Sequence, residues 1–322
     1  MKAAVLYQPG DAHNLTVETR KIPKPTGDSI LIKIKAFGLN RSELMTRKGY
    51  SPNVKFPRIL GIECAGEVEH DPANELSKGQ KVIAFMGEMG RSYDGSYAEY
   101  TLLPRSIVYP IESSLPWEIL GAIPEMYQTV HGSLFTALDI HKNETLLIRG
   151  GTSSVGLLAA QVAKREGLTV VSTTRNHKKE QLLLENGASY VLIDDETIQY
   201  KVNRLFPGGV DKVLELVGTN TLKDSIKCVK PGGTICMSGM LSEQWSISAF
   251  SPMEFIPATV KLTIYDSGQI RSNVAVFQNF IEAVEAGEIS LKIGKVFNLD
   301  DIVEAHVLME RNKADGKIII LT

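Results

Sequence analysis

Two hydrophobic rhythms divide this chain. Over the first ~120 residues short apolar runs are broken by turn signals at close intervals, the pattern of a β-rich segment. Residues 1–7, 30–36, 67–69, 81–85 and 98–103 predict strands, and Pro23, Pro25, Pro52, Pro57 and Pro72 punctuate them, which predicts no long helix there. From about residue 125 strand patterns alternate with helical ones, the rhythm of a parallel sheet covered by helices on both faces. Strands are predicted at 145–149, 168–173, 190–193, 210–217, 234–238 and 259–265. Helices are predicted at 155–166, 178–185 and 219–229, the second stopped by Asn186-Gly187. Crossovers between parallel strands are right-handed, so these elements predict a doubly wound sheet. The tail adds a helix over 273–286, a strand over 295–299, a helix over 300–311 and a last strand over 317–321, a segment expected to rejoin the first domain.

Composition narrows the class. At 322 residues the chain exceeds one ordinary core, so two domains are expected. Its 43% hydrophobic and 22% charged content is that of a soluble globular protein. A net charge of -2 and a pI near 6.3 argue against nucleic acid or an anionic membrane as partner. Gln8, Pro9 and Gly10 cut the opening apolar run short of a signal-peptide core, and no run reaches the length of a membrane span. Cys64, Cys228 and Cys236 form no Cys-x-x-Cys pair and read as buried reduced thiols. A cytoplasmic enzyme is the expected class.

Candidate chemistry enters at Gly150-Gly151-Thr152-Ser153-Ser154-Val155-Gly156, which joins a predicted strand to a predicted helix. In that context a small-residue turn is a dinucleotide cradle. Gly151 is expected to make the tight turn and Gly156 to let the helix pack on the strand, with free N–H groups at the helix start facing a pyrophosphate. Ser153 stands where the motif carries its middle glycine; it is small, and its hydroxyl can donate. About 20 residues on, where an acid would select the ribose of NAD, the chain reads Ser172-Thr173-Thr174-Arg175-Asn176-His177-Lys178-Lys179. Asn176 caps the next helix, and cations in a first turn oppose the helix dipole unless an anion joins them. A 2′-phosphate paired with Arg175 and a lysine such as Lys179 is that anion, which predicts NADP(H) as the cofactor.

Several further segments together resemble the zinc-free quinone oxidoreductase (zeta-crystallin-like) branch of the medium-chain dehydrogenases/reductases. They are Ala36-Phe37-Gly38-Leu39-Asn40-Arg41-Ser42-Glu43, Leu60-Gly61-Ile62-Glu63-Cys64-Ala65-Gly66 and Gly95-Ser96-Tyr97-Ala98-Glu99-Tyr100. Pro124 through Thr129, the glycine turn, Val210-Asp211 with Glu215, and Ala305-His306 with Gly316-Lys317 continue the likeness along the whole chain. The resemblance implies an α/β protein with a GroES-like β-rich catalytic domain (1–123 and 266–322) and a Rossmann doubly wound domain (124–265). It places Asn40 near the nicotinamide and its ribose, Thr129 at the nicotinamide face and Tyr50 in the cleft as donor to a substrate oxygen. Backbone groups of Val217, Gly218, Ser238 and Gly239 are to pass along the nicotinamide.

Zinc-dependent relatives carry Cys where this chain has Asn40 and His where it has Ile62, and neither replacement is a zinc ligand. The segment 85–94 holds no Cys for a structural zinc lobe, and the six histidines show no short ligand spacing. Without a Lewis acid, hydride transfer suits acceptors that delocalise charge: quinones and α,β-unsaturated carbonyls. Enoyl-thioester reduction and a non-catalytic, crystallin-like NADPH-binding role are the alternatives. Three departures stand out: Met45 replaces a second cleft tyrosine, Ser153 replaces a glycine, and Asp194 stands where relatives help hold the 2′-phosphate. The resemblance also implies a homodimer joined through the 259–265 strand, and the apolar, β-branched content of that strand suits such a pairing.

Overall fold

The computed structural model describes residues 1–322 as two compact units, Met1–Met126 with Ser272–Thr322, and Tyr127–Arg271. Both divisions fall a few residues beyond the expected ones. One lies inside a helix that starts at Pro124. The other follows Arg271, and Gln128 binds both the Tyr265 hydroxyl and the Ile270 carbonyl, tying that stretch to the second unit.

The first unit opens with β1 (Lys2–Leu6), β2 (Leu15–Thr19), β3 (Ser29–Gly38), helix α1 (Arg41–Arg47), β4 (Arg58–Ile59), β5 (Glu63–His70), β6 (Lys81–Phe85), β7 (Tyr100–Pro104), β8 (Val108–Pro110) and the short helix α2 (Trp117–Leu120). β1 lies between β2 and β4 in a small antiparallel sheet, while β3 pairs antiparallel with both β5 and β7. Helix α1 was not expected in this Pro-punctuated stretch. It forms because Asn40 enters in an extended conformation and Leu44 and Met45 bury against the core, though the helix is only seven residues long.

In the second unit α3 (Pro124–His131) runs into a π turn at Gly132–Ala137, then come β9 (Thr145–Arg149), α4 (Ser154–Arg165), β10 (Thr169–Thr174), α5 (Glu180–Glu185), β11 (Tyr190–Ile193), α6 (Gln199–Leu205), β12 (Val210–Glu215), α7 (Thr219–Ser225), β13 (Val229–Met237), α8 (Pro252–Phe255) and β14 (Lys261–Ile264). All six strands are parallel, in the order β11-β10-β9-β12-β13-β14. From β9 the chain moves one way to β11 and then returns to place β12 on β9's other side. That reversal is the topological switch point, where such sheets bind ligands beyond their strand C-termini.

The remainder of the first unit is α9 (Val274–Glu285), β15 (Ile293–Asn298), α10 (Ile302–Glu310) and β16 (Lys317–Leu321). The Asn273 side chain caps α9 by accepting the Val276 N–H, and Phe277 packs on the rings of Phe85 and Tyr109. β16 pairs antiparallel with β3, Ile319 facing Gly38, which brings the chain's last strand beside one of its first. No helix is long and apolar enough to cross a membrane.

Candidate functional site

At the switch point the glycine run makes a cradle out of backbone. The turn residue is Gly150, at φ +87°, and not Gly151 as the sequence reading has it, because the chain reverses directly after Arg149. Gly151 and Gly156 are needed for closeness instead. A methyl on Gly151 would stand 3.0 Å from the Thr173 carbonyl oxygen, and one on Gly156 2.7 Å from the Gly150 carbonyl oxygen. Ser153 is the N-cap of α4: its hydroxyl donates to the Gly150 carbonyl (2.8 Å) and accepts the Gly156 N–H (3.1 Å). Its hydroxyl is therefore spent on the turn. Thr152, Ser153, Ser154 and Val155 are half-buried, and the amides of Ser154 and Val155, first in the helix, have no intrahelical acceptor.

The neighbouring strand ends converge on this turn. The Gly150 N–H donates to Thr173 Oγ1 and the Gly151 N–H to the Thr173 carbonyl, which fixes the end of β10 against the cradle. Thr174 is buried, and its hydroxyl braces the next turn by bonding the N–H and carbonyl of Asn176. Asn176 caps a 3-10 turn, His177–Lys179, in which Arg175 just before it and Lys178 stand exposed and Lys179 is half-buried. On β12, Glu215 organises two more loops. Its Oε1 accepts the N–H groups of Val217 (2.7 Å) and Gly218 (3.1 Å), and its carbonyl accepts those of Ser238 and Gly239. Burial pushes this carboxyl above the ordinary glutamate range, against bonds from Ser225, Gly218 and Val217 that hold it down. The Ser238 hydroxyl meets that of Ser133 at 2.7 Å, so the π turn one helical turn past Thr129 reaches the end of β13.

Asp194 is not a free acid. Fully buried Arg149 grips it with two hydrogen bonds (2.8 and 2.7 Å) and also binds Asp224 (2.7 Å), Ser225 and the Thr221 carbonyl. That carboxylate is thus compensated by the guanidinium at the end of β9, two strands away in the sheet.

In the first unit a second polar group gathers around Asn40, the residue before α1. Lys317 Nζ donates to Asn40 Oδ1 (2.6 Å) and to Glu63 Oε1 (2.7 Å), while Asn40 Nδ2 donates to the same Glu63 oxygen (2.7 Å). Glu63 Oε2 accepts the Glu125 N–H (2.7 Å). Glu63 and Lys317 are buried. Buried Glu43, on α1, has its carboxyl pushed up to about 8 by burial and by Glu63. Tyr50 lies past the far end of α1, 66% exposed, so α1 separates it from Asn40. Ile62 is buried, and Met45 is buried too.

No three His, Cys, Asp or Glu side chains gather so as to hold a metal. Around Asn40 the donors are an amide, a carboxylate and an ammonium, a set that does not suit zinc, and the Lys317 cation already occupies it. The three cysteines are buried and unpaired, and burial pushes Cys64 and Cys228 up to about 12 and Cys236 to about 11, so none is a thiolate at neutral pH. His306 is likewise neutral: burial lowers it to about 3 while its Nε2 meets the Tyr97 hydroxyl at 3.0 Å. Sequence reasoning overlooked Gly150, Arg149, Glu215, Glu63 and Lys317 as site residues. The signal for Arg149 was there, a lone charge closing an apolar strand.

A GroES-like β unit and a doubly wound unit with a dinucleotide cradle define the class of alcohol-dehydrogenase-like oxidoreductases. Residues 26–113 match the alcohol dehydrogenase GroES-like domain family, and residues 154–286 match the zinc-binding dehydrogenase family. Rat quinone oxidoreductase is 26% identical over 329 residues, covering 100% of this chain and 98% of the rat protein. Mycobacterial Rv1454c, solved with NADPH, has a TM-score of 0.88 at 24% identity over 100% of each chain. A 2-haloacrylate reductase has a TM-score of 0.87 at 21% identity over 100% of this chain and 99% of that one. The chain belongs to the medium-chain dehydrogenase/reductase family, in its quinone oxidoreductase branch. The activity that the comparisons support is that of an oxidoreductase.

Proposed function

We propose that this protein is an NADPH-dependent, zinc-independent reductase that delivers hydride to quinones or α,β-unsaturated carbonyls. The observation that carries the reading is the cationic end of β10. Arg175 and Lys178 stand exposed there, no carboxylate lies between Thr174 and Lys179 to bind a ribose diol, and Asp194 is held by Arg149. Relatives add support: one solved neighbour holds NADPH, and another is named for reducing a haloacrylate, itself a conjugated alkene.

Bound NADPH supplies the hydride. The Ser154 and Val155 amides take the pyrophosphate at the positive end of α4, and Arg175 with Lys178 or Lys179 takes the 2′-phosphate. Thr129 and the loops at Val217-Gly218 and Ser238-Gly239 flank the nicotinamide end. By resemblance Asn40 meets the nicotinamide ribose and Tyr50 donates its phenol O–H to the substrate oxygen. No side-chain set in the chain supports a Lewis acid, so the acceptor itself must delocalise the arriving charge. The protein acts in the cytoplasm as a homodimer joined through β14, an edge strand whose Ile264 is 61% exposed.

The test is NADPH and NADH oxidation against quinones, enones, alkenals and enoyl thioesters, with and without chelator. NADPH-selective turnover of quinones or enones, indifferent to chelation, is expected. Activity lost on chelation overturns the zinc-independent reading, and tight NADPH binding without turnover favours a non-catalytic role.

A further inference from the structure

The Asn40 carboxamide has only one possible orientation. A lysine ammonium offers donors only, and a carboxylate paired with it offers acceptors only. Lys317 at 2.6 Å therefore fixes which Asn40 atom is the oxygen, and Glu63 at 2.7 Å fixes which is the nitrogen. The chemistry of the neighbours settles an amide assignment that shape alone leaves open. Both Nδ2 hydrogens face acids, Glu63 Oε1 at 2.7 Å and Glu43 Oε1 at 3.4 Å. What half-buried Asn40 has left to offer is the second lone pair of Oδ1.

The clamp that does this is built into the first unit. Glu63 is held from behind by the Glu125 N–H, and Lys317 is placed by the register of β16 on β3. Gly38, at the end of β3, leaves the room: a methyl there would stand 2.6 Å from Glu63 Oε1 and 2.9 Å from Lys317 Nζ.

We propose that Glu63 and Lys317 are positioning residues that hold Asn40 as a hydrogen-bond acceptor, so that it takes a hydroxyl of the nicotinamide ribose and does not donate to a substrate oxygen. The assignment rests on the NADPH reading above. It leaves the substrate oxyanion to a different donor, the part that falls to the Tyr50 phenol.

The test titrates NADPH and 2′,5′-ADP, which carries the 2′-phosphate end without the nicotinamide half, into the full chain. Wild type is compared with Lys317→Arg and with the neutral pair Glu63→Gln/Lys317→Met, which strands no buried charge; melting curves check that each is folded. The neutral pair is expected to bind 2′,5′-ADP like wild type and NADPH about tenfold more weakly, the scale of one lost hydrogen bond. Lys317→Arg keeps a donor and stays closer to wild type. Unchanged NADPH affinity in the folded neutral pair overturns the assignment, and so does equal weakening toward both ligands, which would make the clamp merely structural. On wild type the same assignment is read from the ligand: a cofactor analogue lacking the nicotinamide-ribose hydroxyls binds about tenfold more weakly, and equal affinity overturns it. Wild type that binds neither NADPH nor 2′,5′-ADP overturns the NADPH reading itself, and the assignment falls with it.

Discussion

The two polar centres of this protein are made in opposite ways. In the second unit the cradle is seven consecutive residues, Gly150 to Gly156, and presents backbone amides. In the first, the Asn40 cluster is made of side chains whose members stand 254 and 277 positions apart, Lys317 from Glu63 and from Asn40. A backbone site tolerates most chemistry but no added bulk at its close approaches. A buried side-chain site tolerates neither an unpaired charge nor a change of protonation.

The strongest challenge to that contrast is Arg149, a side-chain hub beneath the backbone cradle. Arg149→Met strands Asp194 and Asp224 and is expected to cost about 3–5 kcal/mol in urea unfolding. A cost under about 1 kcal/mol would mean those carboxylates find compensation elsewhere. Gly156→Ala pushes a methyl toward the Gly150 carbonyl and should weaken NADPH binding on the order of a hundredfold in a fluorescence titration. Near-normal affinity would show that the cradle can shift. Arg175→Ala should weaken NADPH about tenfold and leave NADH unchanged; an equal effect on both would remove the 2′-phosphate from its role.

The first unit is sensitive to pH in a direction that follows from Glu43. Its folded carboxyl titrates near 8 against 4.5 ordinarily, so between those values the folded chain holds a proton that the unfolded chain releases. Stability therefore falls as pH rises through that window. His306, lowered from 6.5 to about 3, works the other way below pH 6.5. Melting temperatures taken from pH 6.5 to 8 isolate Glu43, and Glu43→Gln should flatten the decline; an unchanged slope would assign it elsewhere. The smallest effect expected is that of Ser153→Ala, about 1 kcal/mol for a lost N-cap with NADPH still bound, whereas loss of binding would give the hydroxyl a direct role.

Much of the second unit was legible because its signals are local. The strands Thr145–Arg149 and Tyr190–Ile193, and the turn between strand and α4, follow from short apolar runs punctuated by glycine. The first unit was read less completely. β2, β4, β8 and α1 are short, and their stability comes from partners distant in sequence that no window of residues contains. Within the cradle, which glycine turns and which merely makes room was not readable, since φ depends on where the chain goes next. Ser153 departs from the glycine of the motif, and its hydroxyl closes the turn through bonds the sequence does not show.

By itself the sequence determined the two kinds of domain, the cradle and the lack of zinc donors at Asn40 and Ile62, because periodicity, glycine spacing and ligand chemistry are properties of neighbouring residues. Only the tertiary structure decided which charges neutralise one another. Asp194, in the sequence only a departure from the family's pattern, is half of an ion pair with Arg149 in the fold. Lys317 changed from the first residue of a strand into the cation that orients Asn40. The physical reason is common to both: a buried charge must be compensated within a few ångströms, and the chain alone does not say which distant residue folding will bring there.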